Sequence, residues 1–390
     1  MIQKMKSRSK YIFIIALMFL CIGICTNRAI VCRAASDQGS ILQTVKKDGW
    51  DMKNMRYYKN GKYLTGFKKI ASHYYYFNKK GKAATGWKSI NGKKFYFKKA
   101  GGAGVKGSAL TGLSKVKGKK YFFSKRGVMQ TGWKSINGKK YYFRKAGDTG
   151  IKGSALTGMV NIKGKLYYFD LHGVMRKGFI TIGNKTYYFS ASGAAISGWI
   201  TYGTYCYYFD PVTKVCAKNT VVDGYKVDAG GRSKTRYAVR RLVYQLTNNT
   251  MSNNRKIEVL FDYVTTNSWD YKRKYEHMAP NWVWYKGWTD DFAYDLISTG
   301  HGNCYRYSSV FGYLVKEACG YEVRVYCGSA PALRGGTTPH GWTTVKINGK
   351  WYYFDPDLYK FGTKSANYYY RELTVSSRYY QPSAVCTELQ

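Results

Sequence analysis

Acidic residues are scarce in this sequence. Against 64 Lys and Arg stand only 21 Asp and Glu, a formal charge of +43. Such an imbalance argues against cationic partners and favours polyanions, whose local concentration a basic field raises over about 10 Å. The shortage is uneven, since about 36 basic and 6 acidic residues lie between Ser36 and Lys218, close to +30 in that stretch. Long apolar runs are also lacking. The one present, Tyr11 to Cys25, follows Lys4, Lys6, Arg8 and Lys10. At about 15 residues it falls short of the about 20 that a spanning helix needs. With small residues around Cys32, Ala34 and Ala35, residues 1–35 are expected to be a signal peptide and the mature chain to stay out of the membrane. The end of the sequence, Thr387 to Gln390, carries no hydrophobic anchoring tail, so retention at a surface is expected to come from binding. No Cys or His spacing marks a metal site, and no cofactor is expected.

What is abundant is aromatic and repeated. A Gly followed by an apolar residue recurs at Gly66, Gly86, Gly112, Gly132, Gly158, Gly178 and Gly198. Within a unit, a short strand such as Trp133 to Ile136 meets Asn137-Gly138 and then Tyr141-Tyr142-Phe143. Asn-Gly suits a two-residue hairpin turn because both positions need positive φ. A lone hairpin cannot bury its aromatic face, so consecutive units must stack into an all-β solenoid. Two longer units contain Gly-Ser-Ala-Leu-Thr, at Gly107 to Thr111 and Gly153 to Thr157.

These units resemble the cell-wall-binding or choline-binding type of repeat, and the carbohydrate-binding repeats of secreted toxins and glucan-binding enzymes. The resemblance runs from about Trp50 to Lys218 and rests on Gly-Trp-Lys-Ser-Ile-Asn-Gly-Lys-Lys, present from Gly86 and again from Gly132. It implies ligand sites between hairpins, with Trp87, Trp133 and Trp199 as contacts and most Tyr residues as stacking core. Where choline binders commonly have Trp, this sequence has Lys94, Lys120 and Lys140, which suits a sugar or an anionic polymer better than a cation. By analogy with toxin-type arrays, glycans are expected near the longer units. An exported chain meets the wall before any nucleic acid. The expected partner is therefore a wall polysaccharide or anionic wall polymer.

After Lys218 the period changes to that of helices. Tyr237, Val239, Leu242, Val243 and Leu246 fit one apolar face, and Ile257, Leu260, Phe261 and Val264 another. A third helix is expected from Thr289 as N-cap, followed by Asp290 and Asp291. A fourth begins after Gly302-Asn303-Cys304, with Phe311, Leu314, Val315 and Ala318 as its stripe and Gly320 as its stop. Cys304 would then sit at a helix N-terminus, a position that favours thiolate. Tyr321 to Tyr326 reads as a strand, and His340 to Ile347 pairs through Asn348-Gly349 with Trp351 to Asp355. With Ile347 opposite Lys350, Asp355 falls opposite Trp342 and diagonal to His340, and Asp357 falls opposite His340.

Cys at a helix start, then His and Asp on successive strands, resembles a transglutaminase-like domain, a relative of the papain fold, over about Tyr237 to Phe361. Trp342 and Asp355-Pro356 fit that pattern, whereas Gly341 stands where Ala is commoner. The resemblance implies Cys304 as nucleophile, His340 as base and Asp355 as orienting acid, with Asp357 an alternative orienter and His301 a weaker base candidate. A peptide or protein amide would be the substrate, and the backbone amide of Cys304 one oxyanion donor. A loop from Ser329 to Pro339, with Arg334, Gly335 and Gly336, is expected to form an open rim that favours hydrolysis over transamidation. The expected organisation is a signal peptide at 1–35, a repeat array at 36–218, a linker at 219–236 and an α+β papain-like or transglutaminase-like domain at 237–390. The alternative is a wall-binding adhesin with an inactive domain. Beyond the leader, local folding favours disulfides Cys206–Cys216 and Cys319–Cys327 without fixing them, and the odd five cysteines beside Cys304, Cys386 among them, leave at least one thiol free or paired outside the chain.

Overall fold

The computed structural model describes residues 47–102, 105–272, 285–331, 336–362, 369–372 and 380–382. The expected signal peptide lies outside these residues. A three-stranded sheet (Gly49–Asp51, Arg56–Lys59, Lys62–Tyr63) precedes seven hairpins of five-residue strands, the first Gly66–Ile70 with His73–Phe77 and the last Gly198–Tyr202 with Tyr205–Phe209. In the fourth, Gly132 pairs with Phe143 and Ile136 with Lys139, so Asn137 and Gly138 make the turn at φ 49° and 72°. Both positive angles meet the demand read from Asn-Gly.

Stacking depends on where the connecting segments go. After the fourth hairpin Ala155 bridges to Phe143, while its N–H donates to Lys120 O of the preceding hairpin at 2.9 Å. Met175 repeats the pattern one unit later, bridging to Phe169 and donating to Lys140 O at 2.8 Å. Hairpins are thus tied to their neighbours by backbone hydrogen bonds as well as rings. The closing Phe of each unit, from Phe77 through Phe143 to Phe209, is fully buried. A large ring at this position supplies most of the apolar area that a hairpin can hide.

Residues 219–236, expected as a linker, are structured. Thr220–Val222 pairs with Tyr225–Val227, and Arg232–Ser233 pairs with Cys206 and Tyr207 of the last hairpin. Ser233 then caps helix α1 (Lys234–Leu246), its side chain accepting from Arg236 N. Trp199 Nε1 donates to Asp223 Oδ2 at 2.8 Å, Arg236 lies 4.4 Å from the Trp199 ring centroid, and Tyr225 packs on Tyr313 at 4.7 Å. These contacts join the array to the C-terminal domain.

That domain is a mixed α/β unit. Helices α2 (Asn253–Thr266), α3 (Trp288–Thr299) and α4 (Cys304–Cys319) pack with α1 around a sheet ordered 371–372, 350–354, 337–347, 323–331, 381–382. α4 is central, buried from Cys304 to Val315 against Val323, Val325, Val345 and Phe354. Gly320 ends it at φ 69°, as its sequence position foretells. α3 begins one residue before Thr289, which is no cap: Gly287, at φ 86°, is the N-cap residue. The reason is burial, since the first turn of α3 faces α1, where Thr235 Oγ1 donates to Asp290 Oδ2 at 2.8 Å. Among the described residues no helix is long and apolar enough to cross a membrane.

Burial lifts the Asp290 carboxyl to about 7, against the smaller opposing pull of Thr235. Folded, it keeps its proton to about pH 7, whereas unfolded it loses it near 3.8. Stability should therefore fall as pH rises from about 4 to about 7 and level off above. Asp357, which burial also lifts to about 7, supplies another share of that fall. Asp290→Asn is expected to remove its own share, a difference of up to a few kcal/mol at pH 8, seen in unfolding midpoints at about pH 5 and about pH 8. An unchanged pH dependence would contradict this.

Candidate active site

Asn303 is extended, with φ −140° and ψ −177°, and Cys304 is the first helical residue of α4. Two buried hydrogen bonds tie this helix to the strand that carries His340. Ser308 Oγ donates to Gly341 O at 2.9 Å, and Thr343 Oγ1 donates to Ser308 O at 2.8 Å. Gly341 also explains its own identity. A Cβ there would stand 2.7 Å from Tyr305 Cδ1, 3.0 Å from Tyr305 Cα and 3.2 Å from Tyr305 N. The Ala common at this place in related domains would strike the first turn of α4. Gly341→Ala is expected to cost about 1–3 kcal/mol and to slow any reaction at Cys304 by roughly 10²-fold, because the turn that must yield carries Cys304. Unfolding midpoints and initial rates check this, and a wild-type rate would contradict it.

The sheet register is the one read from Asn348-Gly349, with Ile347 opposite Lys350 and Thr343 opposite Phe354. The strand ends at Phe354. Asp355 then becomes the N-cap of a short helix, α5 (Pro356–Phe361), its Oδ1 accepting from Leu358 N at 3.0 Å. Its Oδ2 accepts from His340 Nε2 at 2.7 Å and from Tyr380 Oη at 2.7 Å. The other ring nitrogen of His340, Nδ1, is left to bond the Cys304 thiol. Cys304 and His340 are each 4% exposed and Asp355 is fully buried. Asp357, in the first turn of α5, is buried too, and its carboxylate lies with Cys304 Sγ and the His340 ring nitrogen in a group whose atoms are all within 4.8 Å of one another.

Burial opposes charge on His340, yet the Asp355 carboxylate and Cys304 hold its pKa well above the ordinary imidazole range. Burial pushes the Cys304 thiol up, His340 pulls it down, and the charge of Asp357 adds to the push. Helix position alone points to a thiolate. In this closed site burial works against that position and raises the thiol, while His340 works with it.

Cys304, His340 and Asp355 are therefore brought together. Asp357 stands beside them without taking the orienter's hydrogen bond. His301 lies elsewhere, its Nδ1 3.4 Å from Asp270 Oδ2. Trp87, Trp133 and Trp199 are half-buried between hairpins, Trp87 against Tyr121 at 5.0 Å and Trp133 against Tyr167 at 5.1 Å. A basic side chain lies over each: Lys94 at 5.2 Å, Lys140 at 5.1 Å and Arg236 at 4.4 Å. The loop expected over Ser329–Pro339 is shorter, because Ser329 pairs with Pro339 and Pro331 with Thr337. Its Arg334 and Gly335 lie outside the described residues.

Neither expected disulfide forms, since Cys206, Cys216 and Cys319 are free. Cys216 bridges to Phe209, three residues from Cys206, and an odd spacing along a strand turns side chains to opposite faces. Cys319 ends α4, and Cys327 is four residues into the next strand, about 13 Å along it and beyond disulfide reach. Cys327 is disulfide-bonded, and not to Cys319, whose thiol is free. Helix α5 is a further element not expected from the sequence, although Asp355-Pro356 is an N-cap followed by Pro at the first helical position. Nothing local could have announced Tyr380, which reaches Asp355 from 25 residues away.

Comparison with known families agrees with this division. Residues 240–356 match the transglutaminase-like superfamily, and residues 64–108, 110–152 and 177–220 match the choline-binding repeat. The chain carries choline-binding repeats followed by a transglutaminase-like domain. Among solved structures, choline binding protein F from Streptococcus pneumoniae, determined with a peptidoglycan analogue, is 30% identical over 46% of this chain and 60% of its own, with a TM-score of 0.40. CbpJ from Streptococcus pneumoniae is 28% identical over 46% of this chain and 61% of its own, with a TM-score of 0.40. The modular autolysin LytC of the same species is 23% identical over 46% of this chain and 39% of its own, with a TM-score of 0.33. The chain thus spans less than two thirds of each of these relatives. No curated protein matches.

Proposed function

We propose that the protein is an exported cysteine acyl-transfer enzyme of papain-like chemistry, held at the cell wall by its repeats and acting on amide bonds of surface protein or wall peptide. The observation that carries this reading is the buried chain from Cys304 through His340 to Asp355, closed by a 2.7 Å hydrogen bond. Cys304 gives its thiol proton to His340 as its sulfur attacks the amide carbonyl, His340 passes that proton to the leaving amine, and Asp355 holds the imidazole for both steps. The resulting thioester is resolved by water or by an amine, with His340 taking the proton of the incoming group. The Cys304 backbone N–H, free at the start of α4, faces the developing oxyanion.

The expectation of hydrolysis rests on an open loop, and the paired strands up to Pro331 and from Thr337 remove that ground. A glutamine-containing peptide offered with excess primary amine reads the partition directly. Free acid and ammonia mark hydrolysis, and amine-conjugated peptide marks transamidation. Failure of both, with folded protein, would leave a wall-binding protein with an inactive domain.

The array's charge and the basic side chains over its Trp faces bear on what it binds. Lys94 and Lys140 occupy the ring faces that a ligand cation would need. At the second longer unit, Lys115, Lys119, Lys120, Arg144 and His172 line a cavity of about 270 Å³ together with Ser154, and no carboxylate enters it. These features support an anionic wall polymer or glycan as ligand. Lys115→Glu with Lys119→Glu is expected to weaken binding of the full chain to isolated walls by at least about tenfold, since each reversal turns attraction to repulsion. Unchanged binding in a pelleting assay would contradict that placement.

A further inference from the structure

Asp357 is not used by the acyl-transfer chemistry, and its place in the fold is costly. The side chain is 6% exposed, and its Oδ1 makes no hydrogen bond. A buried carboxylate without a hydrogen-bond donor loses the solvation that water gave it. Two residues away, Asp355 answers the same problem with three hydrogen bonds, to His340, Tyr380 and Leu358. What Asp357 has nearby is the Cys304 Sγ and the His340 ring nitrogen, all within 4.8 Å of one another.

A thiol, an imidazole and a carboxylate converging on one point form a ligand set for a borderline-soft divalent ion. Zn²⁺ binds S, N and O donors at about 2.0–2.3 Å and commonly keeps three protein ligands with a fourth position open. In such a tetrahedron ligand atoms stand about 3.3–3.6 Å apart, so the group needs to contract by no more than roughly 1.5 Å. Ca²⁺ and Mg²⁺ prefer all-oxygen shells and would not take the sulfur. The outer shell is also in place. His340 offers Nδ1 inward because Nε2 is bonded to Asp355, and a carboxylate behind a ligating His fixes its orientation and raises its basicity.

We propose that Cys304 Sγ, His340 Nδ1 and Asp357 Oδ1 form a binding site for Zn²⁺ or a similar transition-metal ion, and that occupancy switches the enzyme off. The ion takes the lone pairs of nucleophile and base together, releasing to solvent the protons that Cys304 Sγ and His340 Nδ1 carry. Chelation returns the thiol. This rests on the active-site reading for its consequence, but binding itself requires no catalysis.

The test uses the full chain and Co²⁺ as a spectroscopic stand-in for Zn²⁺. The expected result is a near-ultraviolet thiolate-to-cobalt band with visible d–d absorption, displaced by Zn²⁺ and absent in Cys304→Ser. Asp357→Asn is expected to weaken Zn²⁺ affinity at least about tenfold, and Asp355→Asn about 10–100-fold through the imidazole. On the unmodified protein, Zn²⁺ should protect Cys304 from alkylation, with protection lost on adding EDTA. Absence of the thiolate-to-cobalt band, full Zn²⁺ affinity in folded Asp357→Asn, or a Zn²⁺-loaded protein more active than the chelated one would overturn the proposal. An inert enzyme that still binds Co²⁺ through Cys304 would sink the catalytic reading and leave the metal site standing.

Discussion

Cys304→Ala is expected to lower turnover by about 10⁴–10⁶-fold, and Asp355→Asn by about 10³–10⁴-fold, with both proteins folded. The first is expected because Cys304 is the proposed nucleophile, set in a buried group with His340 and Asp357. The second is the sharper test, since Asp355 touches no substrate. Its Oδ2 accepts from His340 Nε2 and Tyr380 Oη, while its Oδ1 caps α5. Asn still caps a helix, so α5 should persist. It loses the charge that holds His340 well above its ordinary pKa, and a neutral imidazole is then free to carry its proton on Nδ1, facing Cys304. In that tautomer it cannot accept the thiol proton. Initial rates on a peptide amide, with unfolding curves as control, decide the matter. A loss of less than about tenfold in Asp355→Asn would remove Asp355 from the mechanism.

Binding of the full chain to isolated bacterial walls is expected to fall steeply with salt. For about three neutralised anionic groups, polyelectrolyte release predicts roughly a 10²-fold loss of affinity over a tenfold rise in salt. The array has the charge for this, about +30 between Ser36 and Lys218. Choline should not compete, because Lys94 and Lys140 already lie over Trp87 and Trp133. Salt-independent binding displaced by free choline would mean that those lysines move aside for a cation, and the polyanion reading would fail. The family match to choline-binding repeats makes that outcome the natural rival.

Much of the molecule is legible in its sequence because local chemistry and global packing agree. Asn137-Gly138 could only be a tight hairpin turn, and the seven spaced glycines fix the number of hairpins. The pairing of Ile347 with Lys350 is set by Asn348-Gly349, and with it the approach of Asp355 to His340. What stays hidden depends on burial or on distant chain. Thr289 looks like a cap until the first turn of α3 is seen packed on Thr235. A thiolate at Cys304 is reasonable from helix position, but desolvation is invisible in sequence. Gly341 looks like a neutral departure and proves to be sterically required by Tyr305. The disulfide expectations fail because sequence proximity carries no face or direction. Asp357 reads as an alternative orienter only if strand register is carried past Phe354, where Asp355 in fact turns the chain into α5.

The most direct test of cysteine acyl transfer is intact-mass analysis of the full chain after acid quench of its reaction with a glutamine-containing peptide. The expected product is an adduct of peptide less ammonia, mapped to Cys304, stronger toward alkaline pH because burial raises the thiol. It should be absent in Cys304→Ala and strongly depleted in Asp355→Asn. Unmodified protein and intact peptide at every pH from about 6 to about 9, with EDTA present, would contradict it.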